Sequence, residues 1–261
     1  MLIMLPPSEG KTAPAEGSPL DLSMVDPFAD DLRDLRTSVL DELVAVSARA
    51  DALDILGVGQ RIQPQVEANT LLWNSPTAPA YEVYSGVLYE AGKLNELGAV
   101  YSPRESFRVL VQSALFGLVD LKSRIPSYRL SMDTRLPQLG PLASLWKNRL
   151  DTLMPELSHH QIIVDCRSGA YIKAWPGLRG EHDLIRVSAV RDRGGKRSVV
   201  SHSAKRYRGM LAGALMKHAQ ALSESLDGVL EIAHSLAEEE DFLGVEMRDK
   251  RNYLELVLVT K

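Results

Sequence analysis

The residues best suited to chemistry in this chain are cations and hydroxyls placed where a strand gives way to a loop or helix. The densest cluster lies within Lys196 to Lys217, KRSVVSHSAKRYRGMLAGALMK. Arg197 to Ser201 alternates and is β-branched like a strand, whereas from Ala204 onward Met210, Leu211, Ala214 and Leu215 recur at helical spacing. Lys205, Arg206 and Arg208 therefore fall on the first turns of a helix that follows a strand. Exposed backbone N–H groups and the positive helix end favour an anion there. A solvated corner is the other reading of the same residues. Lys205 and Arg208 are three apart and can share one helix face.

Similar residues recur elsewhere. The apolar strand Met1 to Leu5 stops at Pro6-Pro7, and the loop SEGKT then presents Ser8 and Lys11 at a strand end, a usual place for a site in an open α/β sheet. IPSYRLSMDTRL, residues 125–136, sets Arg129 and Arg135 among apolar residues, where a charge needs a partner such as Asp133 or a bound anion. A second buried strand, IIVDC, runs into RSGAYIK with Ser168, Tyr171 and Lys173. Tyr81, Tyr84 and Tyr89 either stack on bases or line the core. DILGVGQR, residues 54–61, holds Gly57, Val58, Gly59 and Arg61 in a turn between helices. It is either a plain helix–helix turn or a hairpin of the helix-hairpin-helix kind, whose backbone N–H groups meet a phosphate. If Ser8, Lys11, Arg129, Ser168, Lys205 and Arg208 converge, they build a cleft for a polyanion.

Other chemistries lack their residues. The six histidines never give HExxH, so no metal is expected. The first loop lacks the upstream glycine of a P-loop, and neither G-x-G-x-x-G nor G-x-S-x-G occurs, so no cofactor is expected either. Asp165 and Glu82 are isolated carboxylates of a kind frequent near strand ends. Cys166 is the one cysteine, which excludes an intramolecular disulfide, fits a reducing cytoplasm and leaves no second thiol to resolve a sulfenic acid.

The elements that must position these groups follow from 261 residues at 45% hydrophobic content, enough for a sizeable core. The formal charge of -4 excludes a bulk polycation, so any nucleic-acid contact must come from a local patch. Such asymmetry exists: Asp21 to Asp54 carries nine acids against three bases, and Arg186 to Arg208 eight bases against Asp192 alone. The first residues read as a strand rather than a signal peptide, and no apolar run could span a bilayer. Asp26-Pro27 reads as the opening of a helix reaching toward Asp51. Tyr81 to Tyr84 reads as a short strand, Phe107 to Val111 as a strand, and residues 113–119 as a short helix or turn. Leu142 to Leu157 reads as an amphipathic helix with Trp146 on its apolar side. Leu184 to Val190 and Arg197 to Ser201 flank a Gly194-Gly195 hairpin loop. Asp227 to Leu236 reads as a helix and 237–241 as an acidic loop. Val245 to Met247 with Tyr253 to Val259 reads as a closing hairpin.

MLIMLPPSEGKT resembles the opening strand and S-P-A-K-T loop of the YaaA (UPF0246) peroxide stress family. VYSGVLYEA at 83–91, LVQSALFGLVDLKSRIPSYRLSMDTRL at 110–136, LWKNRL at 145–150 and SHSAKRYRGML at 201–211 resemble it in the same order. The resemblance covers nearly the whole chain. It implies one α/β domain over 1–261, a mixed sheet flanked by helices, with a helix-hairpin-helix-like element near 37–73 and a positively charged cleft. It also implies site residues at Ser8, Lys11, Tyr84, Gly86, Tyr128, Arg129, Lys205, Arg208 and Gly209. The expected function is cytoplasmic DNA binding in peroxide defence through backbone contacts of weak sequence specificity. The alternative is an enzyme acting on a nucleotide, nucleobase or other phosphorylated small molecule in the same cleft. This chain departs from the family pattern in three places: an inserted residue in PSEGKT, Phe116 in place of a tyrosine, and Val119-Asp120 in place of Arg-Pro.

Overall fold

The computed structural model describes residues 1–158, 162–177, 184–199, 204–219, 225–240 and 242–261. Its strands in chain order are β1 (Leu2–Leu5), β2 (Ala78–Pro79), β3 (Arg108–Ser113), β4 (Gly117–Asp120), β5 (Arg124–Ile125), β6 (Arg135–Leu136), β7 (Gly140–Pro141), β8 (Ile163–Asp165), β9 (Leu184–Arg193), β10 (Lys196–Val199), β11 (Gly244–Lys250) and β12 (Tyr253–Thr260). The helices are α1 (Arg33–Ser47), α2 (Ala52–Leu56), α3 (Gln63–Ala68), α4 (Ala80–Val83), α5 (Val87–Ala91), α6 (Leu94–Val100), α7 (Leu142–Ser158), α8 (Gly169–Ala174), α9 (Ala204–Lys217) and α10 (Leu226–Glu239).

Eight strands form one mixed sheet in the order β11-β12-β9-β8-β1-β3-β4, with β10 paired to β9. β1 lies near the middle and runs parallel to both β3 and β8. All four of its residues are buried, which is why LIML has no polar alternation: a strand covered on both faces needs apolar side chains in both directions. The edges are antiparallel hairpins, β3–β4 and β11–β12. This is the mixed α/β architecture, a sheet flanked by helices, that the resemblance implies. No helix among the described residues is long and apolar enough to cross a membrane.

Several local expectations change. The helix begins at Arg33 rather than at Asp26-Pro27. The preceding loop is held instead by Arg36, which is buried and donates to the carbonyl oxygens of Val25 (2.6 Å), Pro27 (3.0 Å), Phe116 (2.9 Å) and Leu118 (2.9 Å). Where a short strand was expected from Tyr81 to Tyr84, the chain forms α4, because Ala80 N–H and Tyr81 N–H dock on the carbonyls of Ser123 and Leu121 and turn it into a helix. Residues 114–116 form a tight turn into β4, with Ser113 Oγ accepting from Leu115 N–H and Phe116 N–H. Residues 237–239 continue α10 rather than forming a loop. Arg135 is exposed and Arg129 half-buried, so neither is the deeply buried cation that its apolar neighbours suggest.

Over 37–73 the chain forms the rest of α1, then α2, a 3-10 turn at Gln60–Ile62, α3 and a second 3-10 turn at Asn69–Asn74. Gly57 closes α2 in the left-handed region, φ +63°, and Val58 N–H bonds back to Leu53. These short segments do not by themselves establish a helix-hairpin-helix. The expected strand end at Ser201, Gln161, and His159, His160, His182 and His202 lie outside the described residues.

Candidate functional site

The carboxyl ends of β1 and β8 are adjacent and point the same way, so the loops that leave them open onto one side of the sheet. A cavity of about 440 Å³ lies there. Its wall draws on Pro6 to Lys11 after β1, Gly57 and Val58 after α2, and Ser85 to Tyr89 at the start of α5. It also draws on Arg129, Leu130, Ser131 and Asp133, on Cys166, Ser168, Ala170 and Tyr171 after β8, and on Lys205 and Arg208 of α9. Ser8, Lys11, Arg129, Ser168, Lys205 and Arg208 therefore line a single cavity although they span most of the chain. Gly86 lines it too. Gly59 and Arg61 do not; both are exposed beyond the rim.

The β1 loop is fixed from two sides. Ser8 Oγ accepts from Ser85 N–H (3.0 Å), and Lys11 forms an isolated antiparallel bridge with Tyr84. Lys11 Nζ donates to the Ser8 carbonyl oxygen (2.8 Å) and stands 4.2 Å from the centre of the Tyr128 ring and 5.7 Å from that of Tyr84. Arg129 reaches the loop as well, donating from Nη1 to the Glu9 carbonyl oxygen (3.1 Å). Arg208 is aimed by a bond from Nε to the Val187 carbonyl oxygen (2.9 Å). Lys205 Nζ lies 3.8 Å from the Glu9 carboxylate, but both side chains are exposed and such a pair holds little. Arg206, on the other face of α9, approaches Glu240 instead.

Tyr84 and Tyr128 lie behind the wall, both buried. Their hydroxyls are 3.0 Å apart, and Tyr128 continues to Ser113 Oγ at 2.7 Å. Tyr84 stacks on Tyr89, whose hydroxyl donates to the Pro6 carbonyl oxygen (2.8 Å). These phenols form the floor under Lys11, and burial pushes their pKa values up, so they stay protonated. Phe116, at the position where the family pattern has a tyrosine, packs edge-on against Tyr128.

Lys11 is the most perturbed cation of the wall. Burial of its ammonium, followed by the nearby charge of Arg129 and partly offset by Glu9, lowers its pKa from 10.5 to about 7. Cys166 moves the other way: burial raises its thiol to about 12, against the pull of Arg208, so the thiolate is disfavoured.

Behind the site, Asp165 and Arg167 form a fully buried bidentate pair, Nε to Oδ1 2.7 Å and Nη2 to Oδ2 2.8 Å, and Arg167 Nη1 also donates to Gln112. Burial alone would raise the Asp165 carboxyl, but Arg167 and its hydrogen bonds outweigh it and hold the carboxyl below its ordinary range. Asp165 is thus a structural anchor. Arg36 and Arg167 are both missed by reading the sequence, since a buried arginine looks the same as an exposed one until its partners are located.

α9 reaches the cavity by packing against α5 through glycine. A Cβ on Gly209 would lie 2.0 Å from the Leu88 carbonyl oxygen, and one on Gly213 would lie 2.1 Å from that of Gly92. The spacing of Lys205, Arg208 and Gly209 thereby acquires a physical reason: the glycine permits the close approach, and the two cations ride on it. A second cavity of about 370 Å³ lies between α5, α6, α9 and α10 and includes none of the site residues expected from the sequence. No cluster of metal-ligating side chains occurs among the described residues.

A sequence model of the family described as peroxide stress protein YaaA matches residues 1–239. A UPF0246 protein of Streptomyces coelicolor is 36% identical over 250 residues, 95% of this chain and 92% of its own length. One from Corynebacterium efficiens is 40% identical over 219 residues, covering 82% and 84%. One from Corynebacterium glutamicum is 36% identical over 261 residues, covering 99% and 100%.

Proposed function

The chain belongs to the peroxide stress protein YaaA family, and on that premise we propose that it is a cytoplasmic protein that binds DNA by its phosphates. The observation that carries this reading is the gathering of Lys11, Arg129, Lys205 and Arg208 in one cavity with the Gly57-Val58 turn on its rim. Cations fixed by backbone carbonyls, as Arg129 and Arg208 are, bind phosphate with little further loss of freedom. The glycine turn, read as a hairpin of the helix-hairpin-helix kind, would place backbone N–H groups against a neighbouring phosphate. Such contacts carry no base information, so sequence specificity is weak.

Fluorescence anisotropy with duplex DNA across a salt series tests this. The log–log slope should be about -0.9 per phosphate contact, and Lys205→Ala and Arg208→Ala should each make it shallower by about one contact on every sequence. Binding that is absent, or flat with salt, overturns the proposal.

The size of the cavity favours a second reading. At about 440 Å³ it suits one nucleotide-sized molecule better than a duplex, which would make the protein an enzyme on a nucleotide, nucleobase or phosphorylated small molecule. Nucleotides and sugar phosphates should then raise the melting temperature, and an unchanged melting temperature with all of them counts against it.

A further inference from the structure

Resting on the phosphate-binding reading, we infer that the Lys11 amine is a nucleophile that condenses with the aldehyde of a phosphorylated sugar held in the same cavity. The sugar is either a free aldose phosphate or the abasic unit of a DNA strand, since both join an aldehyde to a phosphate.

Three features of the site lead here. First, Lys11 stands in the cavity wall with its Nζ over the Tyr128 ring, and its hydrogen bond goes to a neutral carbonyl, that of Ser8, with no carboxylate bonded to it among the described residues. The charged groups that act on it are Arg129, which repels its proton, and the more weakly felt Glu9. Second, phosphate does not need Lys11, because Arg129, Lys205 and Arg208 line the same cavity as cations. Third, an amine set among phenol rings beside a guanidinium is the arrangement that activates a lysine toward carbonyls; with a pKa near 7 about half the molecules carry a free lone pair at neutral pH.

The step balances without an oxidant or reductant. The nitrogen lone pair bonds to the carbonyl carbon while the C=O π pair moves to oxygen. A proton passes from nitrogen to that oxygen, giving a carbinolamine. Its hydroxyl takes one proton from solvent and leaves as water, and the product is an iminium on Lys11. The phosphate remains on the sugar, held by the three remaining cations.

Borohydride trapping tests this, because reduction turns the iminium into a stable secondary amine that peptide mass mapping locates. The full chain is incubated with ribose 5-phosphate, with ribose, or with a duplex oligonucleotide bearing one abasic site. An adduct on Lys11 is expected with one or both phosphorylated probes, and which of them reacts identifies the source. The adduct should disappear in Lys11→Arg and in Lys11→Met, with tryptophan fluorescence checking that each variant is folded. No adduct in any arm, or adducts spread alike over wild type and Lys11→Arg, overturns the inference. Equal trapping of ribose and ribose 5-phosphate overturns its phosphate requirement. If salt-dependent DNA binding persists while Lys11 stays unmodified, the inference fails alone; if both are absent, the phosphate reading fails with it.

Discussion

Replacing Lys11 by methionine should stabilise the protein at neutral pH and stop doing so in alkali. The unfolded lysine titrates near 10.5 and the folded one near 7. Between those values the unfolded chain binds the extra proton, so wild-type stability is complete above about pH 10.5 and is lost as pH falls toward 7, with no further loss below. At about 1.4 kcal/mol per pH unit the ceiling on that loss is about 5 kcal/mol. Lys11 is only half-buried, and water screening takes about half of this away. Methionine also gives up the bond to Ser8 and the contact with the Tyr128 ring, together about 1–2 kcal/mol. A net gain of about 0.5–1.5 kcal/mol at pH 7 remains, shrinking to zero or reversing by about pH 10. Urea unfolding of both proteins at the two pH values, followed through the buried Trp146 and Trp175, measures it. All other lysines titrate alike in the two proteins and cancel. A methionine variant less stable at pH 7, or a difference that does not change with pH, would refute the reasoning.

Other expectations follow from packing. Gly209→Ala forces α9 away from the Leu88 carbonyl and should cost about 2 kcal/mol in urea unfolding, while weakening the proposed DNA binding through displacement of Lys205 and Arg208. Gly10→Ala, whose added Cβ would meet nothing within 4 Å, should leave stability within about 0.5 kcal/mol of wild type; an equal loss in both would deny the close helix contact its role. Arg167→Met leaves the buried Asp165 carboxylate with only the more distant Arg186 guanidinium, Nε 3.7 Å away, and should destabilise by about 3 kcal/mol, and adding Asp165→Leu should recover much of that. If the double variant is as unstable as the single one, the pair is not the source of the loss.

The amino-acid sequence by itself determined much of the framework. β1 and β8 are legible because strands covered on both faces read as unbroken apolar runs, and α7 because Trp146, Leu150, Leu153 and Met154 keep a helical period. The β9–β10 turn follows from Gly194-Gly195, both at positive φ in a two-residue loop between Arg193 and Lys196. Chemistry-bearing types at strand ends are legible too, which is how Ser8, Lys11, Ser168, Lys205 and Arg208 stand out. Where local signals compete with partners far along the chain, only the tertiary structure decides. The segment at Tyr81 turns helical because Ser123 and Leu121 capture its N–H groups, and Pro27 precedes rather than opens α1 because Arg36 binds the loop's carbonyls. Above all, the meeting of Lys11 with Arg129, Arg208 and the Tyr84–Tyr128 floor comes from strand order. β1 is inserted between β3 and β8, and α9 descends on α5 through Gly209. A local sequence pattern specifies the period of each element, but proximity between residues nearly two hundred positions apart depends on which strands pair and how closely helices approach. From that proximity comes the low pKa of Lys11: the same residue in an isolated SEGKT loop would be an ordinary solvated ammonium.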